Sequence, residues 1–167
     1  AKDDGLYRRS LYTFWKRTSP PPAMMLLDAS KRDVCVMRRQ STTTPLQALL
    51  MLNDPQFVEA SRVWAERLVA FSGEPSSGES SSGNDQALLA QVFRRLTSRD
   101  VKPRELQILL AALQEQRDAY RADPQRAKQT ASVGDRKPAA DVDVVEVAAW
   151  TMVISMLMNF DEVVRMR

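Results

Sequence analysis

The 167-residue chain contains no histidine. That removes histidine metal ligands, Ser-His-Asp and Cys-His nucleophile systems, and the commonest general base at neutral pH. Cysteine occurs once, at Cys35, so no disulfide can close within the chain. A C-x-x-C-H haem attachment and a multi-cysteine zinc site are excluded on the same ground. Glycine is scarce, and three of the five fall between residues 72 and 85. The longest apolar run covers residues 147–160, well short of the roughly 20 residues that a bilayer-spanning helix needs. Any chemistry carried by this chain alone must rest on carboxylates, Lys, Arg, Tyr or a borrowed group.

What is present is ordinary for a soluble globular protein: 44% hydrophobic and 27% charged residues. A chain of this length can bury about 68–70% of its unfolded surface without disulfides or metals. It begins at Ala1 rather than Met, with no basic and apolar leader, and is expected to be a piece of a longer protein. The net charge of +3 is unevenly spread. Residues 1–40 hold nine basic and four acidic side chains, or +5, which leaves −2 for the remainder. Arg8, Arg9, Lys16, Arg17, Arg38 and Arg39 are therefore candidates for an anionic partner such as a sulfated or uronic glycan. The plainer account, that they satisfy carboxylates and carbonyls inside a parent protein, is preferred.

The densest structural punctuation lies at residues 38–69. Thr44 offers a capping hydroxyl and Pro45 opens a helix on which Leu46, Leu49 and Leu50 share a face. Asn53, Asp54 and Pro55 end that helix and start another, with Asp54 as cap. Phe57, Ala60, Trp64, Leu68 and Phe71 are expected to form the buried stripe of the second helix. This proline-cornered elbow is expected to be the body on which the rest packs.

Before it, residues 6–17 and 34–37 suggest a two-stranded ribbon, separated by Pro20, Pro21 and Pro22 and a short helix after them. After it, residues 72–85 read as a Ser/Gly linker loop. Asn84 or Asp85 is the expected cap of a helix with Leu88, Leu89, Val92, Phe93 and Leu96 inward. A helix from Pro103 turns Leu106, Leu109, Leu110, Leu113 and Tyr120 inward, with Arg104, Glu105, Gln107, Glu115 and Arg117 solvated. Asp123 and Pro124 begin a small helix expected to end near Gly134. Asp143 and Glu146 have capping-box spacing, and the run after them, apolar on nearly every face, predicts a buried central helix.

The fold class that follows is mainly α, with five to six helices and a short two-stranded β element near the N-terminus. Residues 1–167 are read as one domain: ribbon and elbow to residue 71, linker over 72–85, helical half over 86–167.

Three stretches resemble a known family: RRSLYTFWKRTSPPPAMMLLDAS at 8–30, RRQSTTTPLQALLMLNDPQFVEAS at 38–61 and AAWTMVISMLMNFDEVVRMR at 148–167. They are similar to the C-terminal part of a planctomycete domain of unknown function. Thr43 stands where that pattern leads one to expect Asn. The resemblance implies a large exported protein, an extracytoplasmic setting and a planctomycete-type cytochrome c domain, with its haem c, elsewhere in the parent. It transfers no activity and no catalytic residue.

Two polar constellations remain. Arg38, Arg39, Gln47, Asn53 and Asp54 could converge on an anion at the elbow, although capping alone accounts for Asp54. Asp161 and Glu162 are adjacent and so do not face each other on a helix. Neutralising the N-terminal arginines is their expected role. The reading that results is a non-catalytic structural and interaction module, with no catalytic, cofactor or metal residues and no nucleic-acid partner. Its expected partners are other parts of the parent and a c-type cytochrome. The alternative is a unit that binds or processes anionic polysaccharide.

Overall fold

In the computed structural model, residues 10–16, 18–30, 33, 35–38, 42–72, 81–139 and 142–164 are described. Eight α-helices run through them: α1 (Pro22–Leu26), α2 (Pro45–Asn53), α3 (Pro55–Ser72), α4 (Ser81–Thr97), α5 (Pro103–Ala122), α6 (Pro124–Ala131), α7 (Val144–Met158) and α8 (Asp161–Val164). Five of them begin on proline, whose missing N–H falls where a helix has no internal acceptor for it. The mainly helical class expected from the sequence is what forms.

No sheet is found among the described residues. Ser10–Tyr12 make a single 3-10 turn, and one isolated antiparallel bridge joins Lys16 to Ser19. The expected two-stranded ribbon is not what these residues build. Residues 6–9, 17 and 34, which also belonged to it, lie outside the described residues. A physical reason is near at hand: two short strands are marginal without a third strand or a covering helix.

The chain divides into two compact units, Ala1–Gln47 and Ala48–Arg167. In the first unit the polar Gln47 is buried, but none of the described apolar residues is. In the second, the core is built around α7, which packs against α3, α5 and α6. Val147, Ala148, Ala149, Trp150, Thr151, Val153, Ile154, Ser155 and Leu157 are all buried on it. Each fully buried Val, Leu or Ile of that set contributes about 1.5–3 kcal/mol relative to an exposed side chain. The inward stripes of α4 (Leu88, Leu89, Val92, Phe93) and α5 (Leu109, Leu113, Tyr120) complete the core.

Three expectations are revised. The organising body is α7 rather than the elbow, because Leu46 and Leu49 of α2 are more than half exposed. The buried side of α3 coincides with the expected stripe only in part: Leu68 is buried and Trp64 packs on the core, but Ala60 is exposed, and Glu59, Ser61, Arg62, Ala65 and Glu66 are buried instead. And α4 starts at Ser81, inside the expected linker, so Asp85 is a helical residue rather than a cap. Its carboxylate is used by Arg117 instead, at 2.5 Å and 3.0 Å. The rest of that expected linker, 73–80, lies outside the described residues.

Candidate functional site

In the first unit the polar centre is Gln47. Its main-chain N–H donates to the Thr44 hydroxyl at 3.3 Å, and its Oε1 accepts from the Thr44 N–H at 2.9 Å. That reciprocal pair is a capping box on the first turn of α2. The amide nitrogen of Gln47 lies 2.7 Å from the Leu26 carbonyl, 3.1 Å from Asp28 and 3.1 Å from the Thr42 hydroxyl. Asp28 also accepts from the Thr42 N–H and hydroxyl, both at 2.7 Å. Its backbone is left-handed, with φ of 57°. Asp tolerates that region better than most residues, because a short polar side chain can bond locally.

The sequence-derived candidates are scattered. Arg8, Arg9, Arg17 and Arg39 lie outside the described residues. Lys16 and Arg38 are exposed, and Lys16 lends its carbonyl to the Ser19 N–H. Thr44 and Pro45 open α2. In the second unit, Asn53 donates to the Leu49 carbonyl at 2.8 Å, and Asp54 accepts from the Gln56 N–H at 2.9 Å with Pro55 at the first helical position. Glu162 pairs with Arg99 at 2.8 Å.

The most buried charged cluster of the second unit is one that the sequence reading missed. Glu59, Arg62 and Glu66 sit at i, i+3 and i+7 on the inner face of α3, and Arg62 has no solvent exposure. Arg62 donates from Nε to the Val133 carbonyl at 3.0 Å and from Nη2 to the Arg136 carbonyl at 2.7 Å. Its Nη1 is bonded to the Glu66 carboxylate. Glu59 accepts from the Arg136 N–H at 2.8 Å and the Asp135 N–H at 3.3 Å, while Glu66 accepts from the Ala139 N–H at 3.4 Å. Three side chains of one helix thus hold the main chain of residues 133–139.

Gly134, at φ of 102°, lies directly against the Glu59 side chain, which would collide with a Cβ at that position. The signal was present in the sequence as charged residues three and four apart on α3. It was masked because an apolar stripe could be drawn on the other side.

Two further arginines tie helices together. Arg99, in the α4–α5 turn, reaches Glu105 with both terminal nitrogens at 2.9 Å and lies 4.7 Å from the Phe93 ring centroid. The hydrogen bond from Arg99, aided by the Lys102 N–H, holds the Glu105 carboxyl at about 2 instead of its ordinary 4.5. The Arg99 guanidinium is raised in turn, first by its bond to Glu105 and then by Glu162. Arg117 bridges Asp85 on α4 to Glu146 on α7, and its guanidinium is raised chiefly by the bond to Asp85. Glu146 therefore serves Arg117, while Asp143 caps α7 by accepting from the Val145 N–H at 2.9 Å.

Among the described residues no three His, Cys, Asp or Glu side chains are grouped as metal ligands, and no helix is long and apolar enough to cross a membrane. The carboxylates of the second unit named above face guanidinium groups or main-chain N–H groups.

Residues 1–113 match the model of PSD1, a protein family of unknown function (DUF1553). The chain belongs to this family. The match takes in the first unit and runs through α2, α3 and α4 into α5. Two of the three resembling stretches, 8–30 and 38–61, fall within it, and 148–167 lies beyond it. No curated protein and no solved structure matches the chain.

Proposed function

We propose that this chain is a non-catalytic structural and interaction module, and that the exposed apolar residues of its first unit are covered by another part of a larger parent protein. The observation that supports this is an inverted burial pattern. Phe14 is 83% exposed, Met37 is fully exposed, and Leu11, Tyr12, Val36 and Leu46 are each more than half exposed. In the same unit no described apolar residue is buried. Ordering such a segment costs about 1–2 kcal/mol per residue in backbone entropy, and buried apolar area is the usual offset. Several large apolar side chains left in water mark a surface that is covered in the working assembly.

The finer terms of this reading come from the family resemblance. They are a planctomycete parent, export to an extracytoplasmic compartment, and association with a c-type cytochrome domain. In the second unit the buried charges Glu59, Arg62 and Glu66 are matched internally, as suits a scaffold.

Amide hydrogen exchange on residues 10–47 tests the proposal, comparing the 167-residue chain alone with the same residues inside the intact parent. Strong protection gained only in the parent is expected. Equal exchange in the two settings rejects a covering role. Turnover of an ester or glycan substrate by the chain alone rejects the non-catalytic part.

A further inference from the structure

The loop at 133–139 is more firmly held than a connection between α6 and α7 requires. Glu59, Arg62 and Glu66 give up hydration to fix its Val133 and Arg136 carbonyls and its Asp135, Arg136 and Ala139 N–H groups. Burying three charges in this way is costly, and apolar residues of similar volume are often as stabilising. What the arrangement does supply is a fixed loop backbone. Gly134 completes it by lying flush on Glu59 in a backbone conformation that side chains disfavour.

The side chains presented from this fixed backbone are Arg136 and Lys137. Both are exposed, and among the described residues neither takes part in an ion pair. Pro138, next to them, further restricts the chain. Binding elements held in their bound shape lose less entropy on association, and such pre-organisation is a common source of affinity. We propose that residues 134–138 form a pre-organised recognition loop in which Arg136 and Lys137 dock a carboxylate-bearing segment of an acidic protein partner.

The pattern favours a protein carboxylate over a dense polyanion. Only two adjacent cations are offered, with Asp135 beside them, whereas a sulfated chain is best met by a long unbroken basic track. The arginine fork suits a single carboxylate, which it can grip with two parallel bonds. This surface is independent of the apolar first unit and does not rest on the function proposed above.

The test uses the full 167-residue chain, a fluorescein-labelled glutamate-rich peptide as probe, and heparin as the competing polyanion, at low ionic strength. The peptide is expected to bind, and Arg136→Ala with Lys137→Ala to weaken it by about tenfold, the combined worth of two exposed charge contacts. Arg38→Ala is expected to change little. Gly134→Val keeps both cations but pushes the loop off Glu59, and is expected to weaken binding to a similar degree. Glu59→Leu serves the same purpose if the valine variant does not fold, with circular dichroism as the check.

Three results overturn the proposal. One is no peptide binding, or binding unaffected by the double substitution. Another is full binding by a folded variant whose loop has been released, because the cations alone would then suffice. The last is heparin binding that the double substitution abolishes while the peptide stays unbound, since the partner class is then wrong.

Discussion

The guanidinium of Arg62, with no solvent exposure, donates to the main-chain oxygen of Arg136 at 2.7 Å. An arginine of α3 thus supports the backbone of another arginine whose own side chain faces solvent. Removing one partner from a buried charge network leaves the others uncompensated. Arg62→Ala is therefore expected to destabilise the chain by about 3–5 kcal/mol, measured by urea denaturation. Replacing Glu59, Arg62 and Glu66 together by leucine or methionine should recover much of that loss. Amide exchange at 135, 136 and 139 should stay fast in the same triple variant.

Gly134 tests the same contact from the other side. Its positive φ and the Glu59 side chain leave no room for a methyl group. Gly134→Ala is expected to cost roughly 1–3 kcal/mol, from backbone strain and displacement of a pinned carboxylate. Combining it with Glu59→Ala opens space for the methyl, so the two losses should be clearly less than additive in a double-mutant cycle.

Acid stability carries a signature of the α4–α5 turn. The Glu105 carboxyl is held at about 2, below its ordinary 4.5, first by the bond from Arg99. A depressed carboxyl contributes stability that is in full above the ordinary value and drains away as pH falls toward the folded one. The unfolding midpoint of the native chain should therefore fall faster between pH 4.5 and pH 2 than that of Glu105→Gln. The two curves should draw together near the acid end. Parallel curves across that interval would show that the pairing with Arg99 does not contribute in solution.

Gln47 holds the first unit's polar centre. Gln47→Ala removes the acceptor for the Thr44 N–H and the donor to Leu26, Asp28 and Thr42, and should cost about 1–3 kcal/mol of local stability. Faster amide exchange at Thr44 and in the first turn of α2 is the readout, with α7 unaffected. Gln47→Glu should be worse than alanine at neutral pH, because it sets a second carboxylate beside Asp28. Acidification should relieve part of that difference.

How much of this was legible in the sequence follows from what each residue reports. The run of residues 147–160 is apolar on nearly every side, so a helix buried all round was the sole economical reading, and α7 is that helix. The stripes on α4 and α5 were equally plain, since Leu, Val and Phe at helical spacing have few other uses. On α3 the same logic misled. The expected stripe ran through Ala60 and Trp64 to Leu68, whereas the buried side reaches Leu68 through Ala65 and takes in Glu59, Arg62 and Glu66, to which the sequence reading gave no role. Charged side chains go inside only when matched; Arg62 is matched locally by Glu59 and Glu66, but the main-chain groups that take their remaining bonds lie 71 to 77 residues further on. No local pattern encodes such a distant partner. Asp85 and Glu146 were misassigned for the same reason, as their partner Arg117 lies on another helix.

The placement of α7 also bears on how the molecule can be divided. The family match ends at residue 113, inside α5 and well short of the C-terminus. The greasy sides of α3 and α5 look toward a helix that begins only at Val144. A truncation made at the match boundary would strip both of their main cover and leave Ala65, Leu109 and Leu113 wet, a recipe for inclusion bodies. In this chain, the sequence segment that defines kinship stops short of the helix that closes its core.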